Sequence, residues 1–531
     1  MPSRTYAGLF LLSAATLALE ISLTRLLSVV SSYHLAFFAV ATAMLGATAG
    51  TITVYIMPRW FDPAHLRGSV QRATAAFGVS VFVPLIVLCA TPLVLYWSIM
   101  SVMGLLLVTA SISLPYYFAG VAIGALLTRG ALPVGRMYAA DLVGAAAGCL
   151  MVLGAMEFID APSLIIVCGA LGLFAAMALG GDDGSAIARK RLGLAALGFV
   201  AFAGVNSLTK YGIRPIMVKS ILLPPAAYVA ERWNSYSRVV VFKESQGQFP
   251  FHGPSPKAPK VVARYFGMNI DGDAGTNVMR ADATGDVAPL KYDVTNIVHA
   301  LRPTGPQCVI GVGGGRDIWS ALLFGHESVT GVELNPIFID LLKGRFRDYS
   351  KLAGRPDVQL VVDEARSYLS RSTSSFDVIQ MSLIDTFAAT SAGAFSLSEN
   401  GLYTVNGWKI FLSRLTPRGI FTVSRWYTPG NLGETGRVVS MAMATLMELG
   451  VSDPARHIVL IASAGVSTLL LAREPFSDAD LAALRRVVAD LEFIPLIVPG
   501  VPVEHPVIAQ LLKARPRDEL LAAAALSPFN Y

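Results

Sequence analysis

The 531-residue chain predicts two architectures in series: a multi-span bundle of membrane helices, then an α/β domain with a doubly wound parallel sheet and a small β-domain ahead of it. Three observations carry this. Residues 1–208 are almost continuously apolar, whereas 209–531 have the mixed composition of an ordinary globular chain. From residue 308 onward, strand-sized and helix-sized runs alternate. Between the first strand and the first helix of that alternation stands a glycine cluster, Gly311, Gly313, Gly314 and Gly315, in the run Cys308-Val-Ile-Gly-Val-Gly-Gly-Gly-Arg-Asp317.

In the first half, apolar runs near 6–29, 34–57, 73–96, 99–128, 138–157, 161–180 and 192–208 mostly reach the roughly 20 residues that span a bilayer. Small residues recur on the second run (Gly46, Ala47, Gly50) and the fifth (Gly144, Ala145, Gly148), so close helix approach is expected there. The few ionisable residues inside the runs, Glu20, Arg25 and Asp141, need partners. Glu20 with Arg25 and Asp141 with Arg136 are the expected pairings; a polar path or headgroup site is the functional alternative for Glu20. Basic residues gather in alternate loops: Arg59, Arg67 and Arg72; Arg129 and Arg136; Arg189, Lys190 and Arg191. The positive-inside rule places those loops in the cytoplasm. Because 192–208 is the shortest run, it is expected not to cross completely. The expected placement is therefore an inner (cytoplasmic) membrane with the soluble domain in the cytoplasm.

The chain is 54% hydrophobic and 15% charged, with a net charge of +6. Its basic residues sit between apolar runs, and no basic stretch interleaved with aromatics suggests nucleic-acid binding. The four cysteines, Cys89, Cys149, Cys168 and Cys308, lack metal-ligand spacing and read as buried hydrophobes. No metal is expected.

After the last run, 209–227 is a proline-containing linker, and 228–290 reads as the small β-domain. There Tyr228–Glu244 alternates as one strand turning at Gly247, and Arg264–Asp271 is a second strand ending at Asp271-Gly272. Leu290–Leu301 has helical spacing. The α/β domain occupies 291–475. Its strands are expected at 308–312, 329–333, 358–362, 376–382, 419–424, 457–462 and 467–472, with helices at 316–324, 336–346, 364–370, 404–415 and 434–450; a further helix is expected at 478–489. Residues 476–531 form a C-terminal helical extension.

A glycine turn lets backbone N–H groups approach a ligand, and Glu333 at the end of the second strand falls where a carboxylate takes both hydroxyls of a ribose. Asp363, followed by Glu364, stands at the end of the third strand, where an acid can hold an adenine amine; a helix cap is the plain alternative. Three successive strand ends of this kind suit S-adenosylmethionine or a relative.

These residues resemble the spermidine synthase (polyamine aminopropyltransferase) family in its membrane-fused bacterial form, over about Ala230–Trp426. The matches are Trp233-Asn-Ser-Tyr-Ser-Arg238, Ile270-Asp-Gly272, the glycine turn, Val332-Glu-Leu-Asn335, Asp363, and Phe376-Asp-Val-Ile379 leading to Asp385. The resemblance implies a Rossmann-like domain of the class I methyltransferase and spermidine synthase type. It also implies transfer of an aminopropyl group from decarboxylated S-adenosylmethionine to an amine. Three departures stand out. The family's Asp-x-x-Asp reads Ser382-Leu-Ile-Asp385, its Tyr-His-Glu reads Tyr292-Asp293-Val294, and its Gly-Gly-Gly-Asp-Gly reads Gly313-Gly-Gly-Arg316-Asp317. An arginine at that turn suits a carboxylate better than an ammonium, which points to intact S-adenosylmethionine as donor, with Asp317 available to the donor's amine.

The expected function is a membrane-bound alkyl transferase. Gly311, Gly313, Gly314, Gly315, Arg316, Asp317, Glu333, Asp363 and Glu364 bind the donor. Asp385 orients or deprotonates the acceptor, Tyr292 and Tyr236 assist, and Tyr403, Ser382 and Asp293 line the acceptor pocket. The alternatives are a methyltransferase, and a transporter or sensor carrying a non-catalytic nucleoside domain. Expected partners are the bilayer and a small amine or lipid-borne acceptor; a homodimer is one assembly open to the chain.

Overall fold

The computed structural model describes residues 2–531 apart from 32–34, 92, 94–97, 181–185, 220, 385–398, 431, 516 and 526–531. Two compact units emerge. The first comprises residues up to Phe242 together with Asn269–Gly275, and the second comprises Lys243–Met268 and most of the chain after Thr276.

The N-terminal unit contains α1 (Pro2–Val30), α2 (Ala36–Ile56), α3 (Leu66–Ser80), α4 (Phe82–Ala90), α5 (Ile99–Arg129), α6 (Val134–Ala155), α7 (Ala161–Leu179) and α8 (Ala186–Leu208). Pro84 has no N–H to offer the carbonyl of Ser80, which accounts for the break between α3 and α4. Counting that pair as one, seven helices among the described residues are long and apolar enough to cross a membrane. The glycines act as expected. A Cβ on Gly46 or Gly50 of α2 would lie 2.3 Å from the carbonyl of Ser113 or 2.1 Å from that of Tyr117 on α5. One on Gly144 or Gly148 of α6 would lie 2.4 Å from Phe10 O or 2.3 Å from Ala14 O on α1. Backbone meets backbone at both contacts, so only glycine fits.

The ionisable residues pair differently from expectation. Arg25 donates to Asp271, at 2.9 and 2.5 Å, rather than to Glu20. Asp141 accepts from Ser13 Oγ at 2.5 Å rather than pairing with Arg136. Asp271 also accepts the N–H of Arg238 at 2.8 Å, and Arg238 reaches Glu231 at 2.7 Å. The guanidiniums of Arg25 and Arg238 each lie 5.6 Å from the centroid of the Trp233 ring. The indole explains how Nη1 and Nη2 of Arg238 stay buried without a hydrogen-bond partner. The motif residues 233–238 and 270–272 thus build a buried charge cluster.

The last helix is longer than its apolar run: it begins at Ala186, and 22 of its residues are long and apolar enough for a span. The chain leaving it runs over one end of the bundle. Lys219 N–H donates to Val30 O at the end of α1 (3.1 Å), and Ile216 N–H to Cys89 O near the end of α4 (3.1 Å). Arg214 pairs with Asp160, the N-cap of α7, at 3.0 Å. That end lacks the basic loops.

Strands β1 (Met217–Val218) and β2 (Ile221–Leu222) form a short antiparallel pair. A four-stranded sheet follows, β3 (Tyr228–Trp233), β4 (Arg238–Gln248), β5 (Val262–Ile270) and β6 (Ala274–Met279), in sequence order. The single strand expected at 228–244 is a hairpin, because Asn234 Oδ1 accepts from Ser237 N–H at 2.7 Å and closes a turn inside the alternation. β4 runs through Gly247. The Asp271-Gly272 turn is as expected, with φ of 52° and 80°, the two positive values of a tight hairpin turn.

The C-terminal unit holds β7 (Pro306–Ile310), β8 (Ser328–Glu333), β9 (Val358–Val362), β10 (Phe376–Ser382), β11 (Leu415–Trp426), β12 (Ile458–Ser463), β13 (Val466–Ala472) and β14 (Ile494–Ile497), ordered β14-β12-β13-β11-β10-β7-β8-β9. Only β9, β8, β7, β10 and β11 are parallel. β13 runs antiparallel to β11 and β12, correcting the all-parallel expectation. Ala464 and Gly465, with φ of 43° and 82°, join β12 to β13 in two residues, far too few for a parallel crossover. The expected helical extension also contributes a strand, β14. Ile379 and Met381 of β10 pack with Trp408 and Phe411 on one face, while Val378 packs with Val294 and Leu484 on the other. Both faces are covered, as near-continuous apolar strands require. The helix expected at 290–301 is two 3-10 segments, Thr284–Tyr292 and Val294–Ala300, interrupted at Asp293.

Candidate nucleoside-binding site

The strand order reverses between β7 and β10, and ligands of such sheets sit at the carboxyl ends of the strands at that switch point. The glycine turn lies there, between β7 and α9 (Arg316–Phe324). Gly311, Gly313 and Gly315 have φ of 79°, 49° and 85°, which side-chain-bearing residues rarely adopt. Gly314 is excluded from substitution for another reason: a Cβ would lie 2.1 Å from the carbonyl of Asn277.

Glu333 ends β8 and is 9% exposed. Its Oε2 accepts the N–H of Gly313 at 3.0 Å and its Oε1 that of Asn335 at 2.9 Å. Burial raises its pKa above the ordinary glutamate value, and these N–H groups oppose the shift. The acid and the glycine turn expected to work together are therefore in direct contact. Thr276, which sequence reasoning missed, joins them: its Oγ1 accepts the N–H of Gly314 at 3.1 Å. It arrives from β6, 38 residues earlier, so no local pattern announced it.

At the third strand end the two acids divide their roles. Glu364 caps the helix Ala365–Arg371, accepting from Arg366 N–H at 2.9 Å and Ser367 N–H at 2.7 Å. Asp363 accepts from Glu364 N–H at 2.8 Å and pairs with Arg371 at the surface. The side chain of Asp363 is 24% accessible.

Arg316 does not present its charge to a ligand carboxylate. Its Nη2 donates to Asp293 Oδ2 at 2.5 Å, and its Nη1 to Thr295 Oγ1 at 3.1 Å and Asp317 Oδ1 at 3.3 Å. Asp293 also accepts the N–H groups of His252, Gly253 and Thr295. Burial would raise its pKa, but Arg316 and these donors hold it below the usual carboxylate value. Asp293 is thus a buried clamp, with its carboxylate committed inside the protein. Burial, with Arg316 adding to it, depresses the neighbouring His252 to about 3, so this histidine is neutral at pH 7. Asp317 is raised by burial and hydrogen-bonded to Ser382, which also accepts from Gln380 at 3.2 Å.

Asp385 lies outside the described residues. The backbone just before it is fixed by groups from β11: Arg425 Nη1 donates to Ile384 O at 2.7 Å and to Tyr403 Oη at 3.2 Å, with its guanidinium 5.3 Å from the Tyr403 ring. Tyr403 Oη also donates to Ile384 O at 3.4 Å, so its hydroxyl supports the loop. Ile384 reaches Gly311, where a Cβ would meet it at 2.8 Å. Arg425 was missed by sequence reasoning, because its role depends on a contact 41 residues away. Tyr292 lines a separate cavity of about 600 Å³ with Phe249, Arg264 and Arg280. Tyr236 lies in the β3–β4 turn of the N-terminal unit. Among the described residues, no cluster of three or more histidine, cysteine or acidic side chains suits a metal ion.

No protein-family model matches the sequence, and no curated protein sequence matches it significantly. Similar solved structures include a spermidine synthase in complex with the transition-state analogue AdoDATO (12% identity, 56% of this chain and 88% of that one, TM-score 0.31). Spermidine synthase from Thermotoga maritima shows 13% identity over 55% and 87% of the two chains, with a TM-score of 0.32. Human methyltransferase-like protein 13 in complex with SAH shows 15% identity over 41% and 94%, with a TM-score of 0.26.

Proposed function

We propose that this protein is a membrane-bound transferase that moves an alkyl group, aminopropyl in the first instance, from a sulfonium nucleoside to an amine or lipid-borne acceptor. The observation that carries the reading is the buried Glu333 carboxylate bonded to the N–H of Gly313 at the switch point of the sheet. A carboxylate there takes ribose hydroxyls, while the glycine turn admits the rest of the nucleoside against the backbone. The acceptor's lone pair attacks the carbon beside the sulfonium. The carbon–sulfur bond breaks, its electrons leave with sulfur as a neutral thioether, and the acceptor's proton passes to a base. Asp385 is the proposed base or orienting group. With Arg316 neutralised by Asp293, the reason for preferring a donor carboxylate is gone. The remaining acid, Asp317, suits the ammonium that both S-adenosylmethionine and its decarboxylated form carry.

Methyl transfer is the second reading, favoured by Ser382, which supplies no carboxylate where the aminopropyl family has one. Product mass spectrometry with each donor and a membrane extract separates the two by the mass the acceptor gains. Asp385→Asn should cut turnover by about 10²–10⁴-fold, the usual value of a general base, and leave donor binding nearly intact. Wild-type turnover in this variant would remove Asp385 from the mechanism. Donor binding without any product from either donor would favour a sensor.

We also propose the bilayer as the setting of the seven helices, with the basic loops cytoplasmic. The chain leaves α8 at the opposite end, so under this proposal the segment that follows α8 starts on the outer face, whereas a cytoplasmic soluble domain requires that one of the seven helices not cross. A cysteine replacing the exposed Tyr211 should react with a membrane-impermeant thiol reagent on intact cells. Protection until lysis would contradict this topology.

A further inference from the structure

At the basic end of the bundle, α2, α3, α5 and the turn Pro58–Phe61 enclose a cavity of about 560 Å³. We propose that it binds the headgroup of an anionic phospholipid. The inference rests on the reading that these helices lie in a bilayer.

The lining is divided by chemistry. Arg59 and Arg72 supply charge, and Ser69 and Thr53 add hydroxyls. His65, Ser69, Arg72, Ala73 and Ala76 of the α3 segment recur at helical spacing and so present one face to the cavity. Below them the wall is apolar, formed by Ala76, Phe118 and Val121. His65 is hydrogen-bonded to Asp62 at 2.7 Å, so its ring is committed locally. Among the described residues the two arginines are not matched. Arg72 donates only to Gly68 O at 3.2 Å and Ser69 Oγ at 3.4 Å, and neither arginine has a carboxylate partner among the described residues. Trp60, 59% exposed at the rim, is the residue type that settles at the headgroup level of a bilayer. Two unmatched cations above an apolar wall, in a space within the usual range for small ligands, fit a phosphate carrying acyl chains. A free phosphate would leave the apolar wall unused.

The test uses the full-length protein in nanodiscs of equal phosphatidylcholine and phosphatidylglycerol, with retained lipid read by native mass spectrometry. Wild type should retain phosphatidylglycerol over phosphatidylcholine by about tenfold. The double variant Arg59→Gln, Arg72→Gln should lose that preference while keeping its gel-filtration profile. A control, Arg129→Gln with Arg136→Gln, should keep it, because those arginines lie outside the cavity. Equal retention of both lipids by wild type, or an unchanged preference in the double variant, overturns the proposal. Displacement of the lipid by added inorganic phosphate also overturns it, in favour of a soluble anion. Recovery of the protein in the soluble fraction, never in discs, would overturn the bilayer reading itself, and this site with it.

Discussion

Replacing Asp293 with alanine is expected to destabilise the C-terminal unit by about 3–5 kcal/mol, the usual cost of stripping one partner from a buried ion pair. The carboxylate is fully buried, and its loss leaves the Arg316 guanidinium 7% exposed with no partner but Thr295 and a weakly placed Asp317. It also removes the acceptor of three backbone N–H groups, at His252, Gly253 and Thr295. The double change Asp293→Leu, Arg316→Met should recover part of the loss, because no charge then remains buried alone. Thermal unfolding of wild type and the two variants followed by near-ultraviolet circular dichroism checks this. A single variant as stable as wild type would show that the clamp is dispensable. The pH dependence follows from the direction of the Asp293 shift. Its folded pKa is depressed, so its stabilisation is present above the unfolded aspartate value and is lost as pH falls through the folded one.

Replacing Glu333 with alanine should weaken binding of a sulfonium nucleoside by about 1.5–3 kcal/mol, or roughly 10- to 150-fold. The side chain is buried at the end of β8, and its removal also frees the N–H groups of Gly313 and Asn335. Glu333→Gln should lie between wild type and alanine, since an amide keeps one acceptor oxygen. Binding by wild type should fade as pH falls through the raised Glu333 pKa, because only the ionised form accepts both ribose hydroxyls. A pH profile unchanged by Glu333→Gln would place the ribose elsewhere.

Much of the C-terminal unit is legible in the sequence. The expected strands at 329–333, 358–362 and 376–382 match β8, β9 and β10 to within a residue, because each is a short apolar run bounded by turn residues. The sense of β13 was not legible. Apolar strands buried on both faces look alike whichever way they run, and only the two-residue turn at Ala464-Gly465 betrays the hairpin. The turn at 234–237 was hidden because its alternation continues that of the flanking strands. Site residues divide in the same way. The contact between Glu333 and the glycine turn is set by local geometry, and its two members were picked out by spacing. Arg316 was found, but its partner was not, since an arginine near a ligand loop reads as a ligand group until the buried Asp293 is seen to hold it. Thr276 and Arg425 act across 38 and 41 residues, distances at which one sequence gives no signal.

The most direct test of the account is calorimetric titration of the purified full-length protein with S-adenosylmethionine, its decarboxylated form and methylthioadenosine, with Glu333→Ala alongside. The account predicts saturable binding of at least one sulfonium donor and its thioether product by wild type, and roughly 10- to 150-fold weaker binding by the variant. A folded wild-type protein that binds none of the three, or a Glu333→Ala variant that binds them equally well, would contradict it.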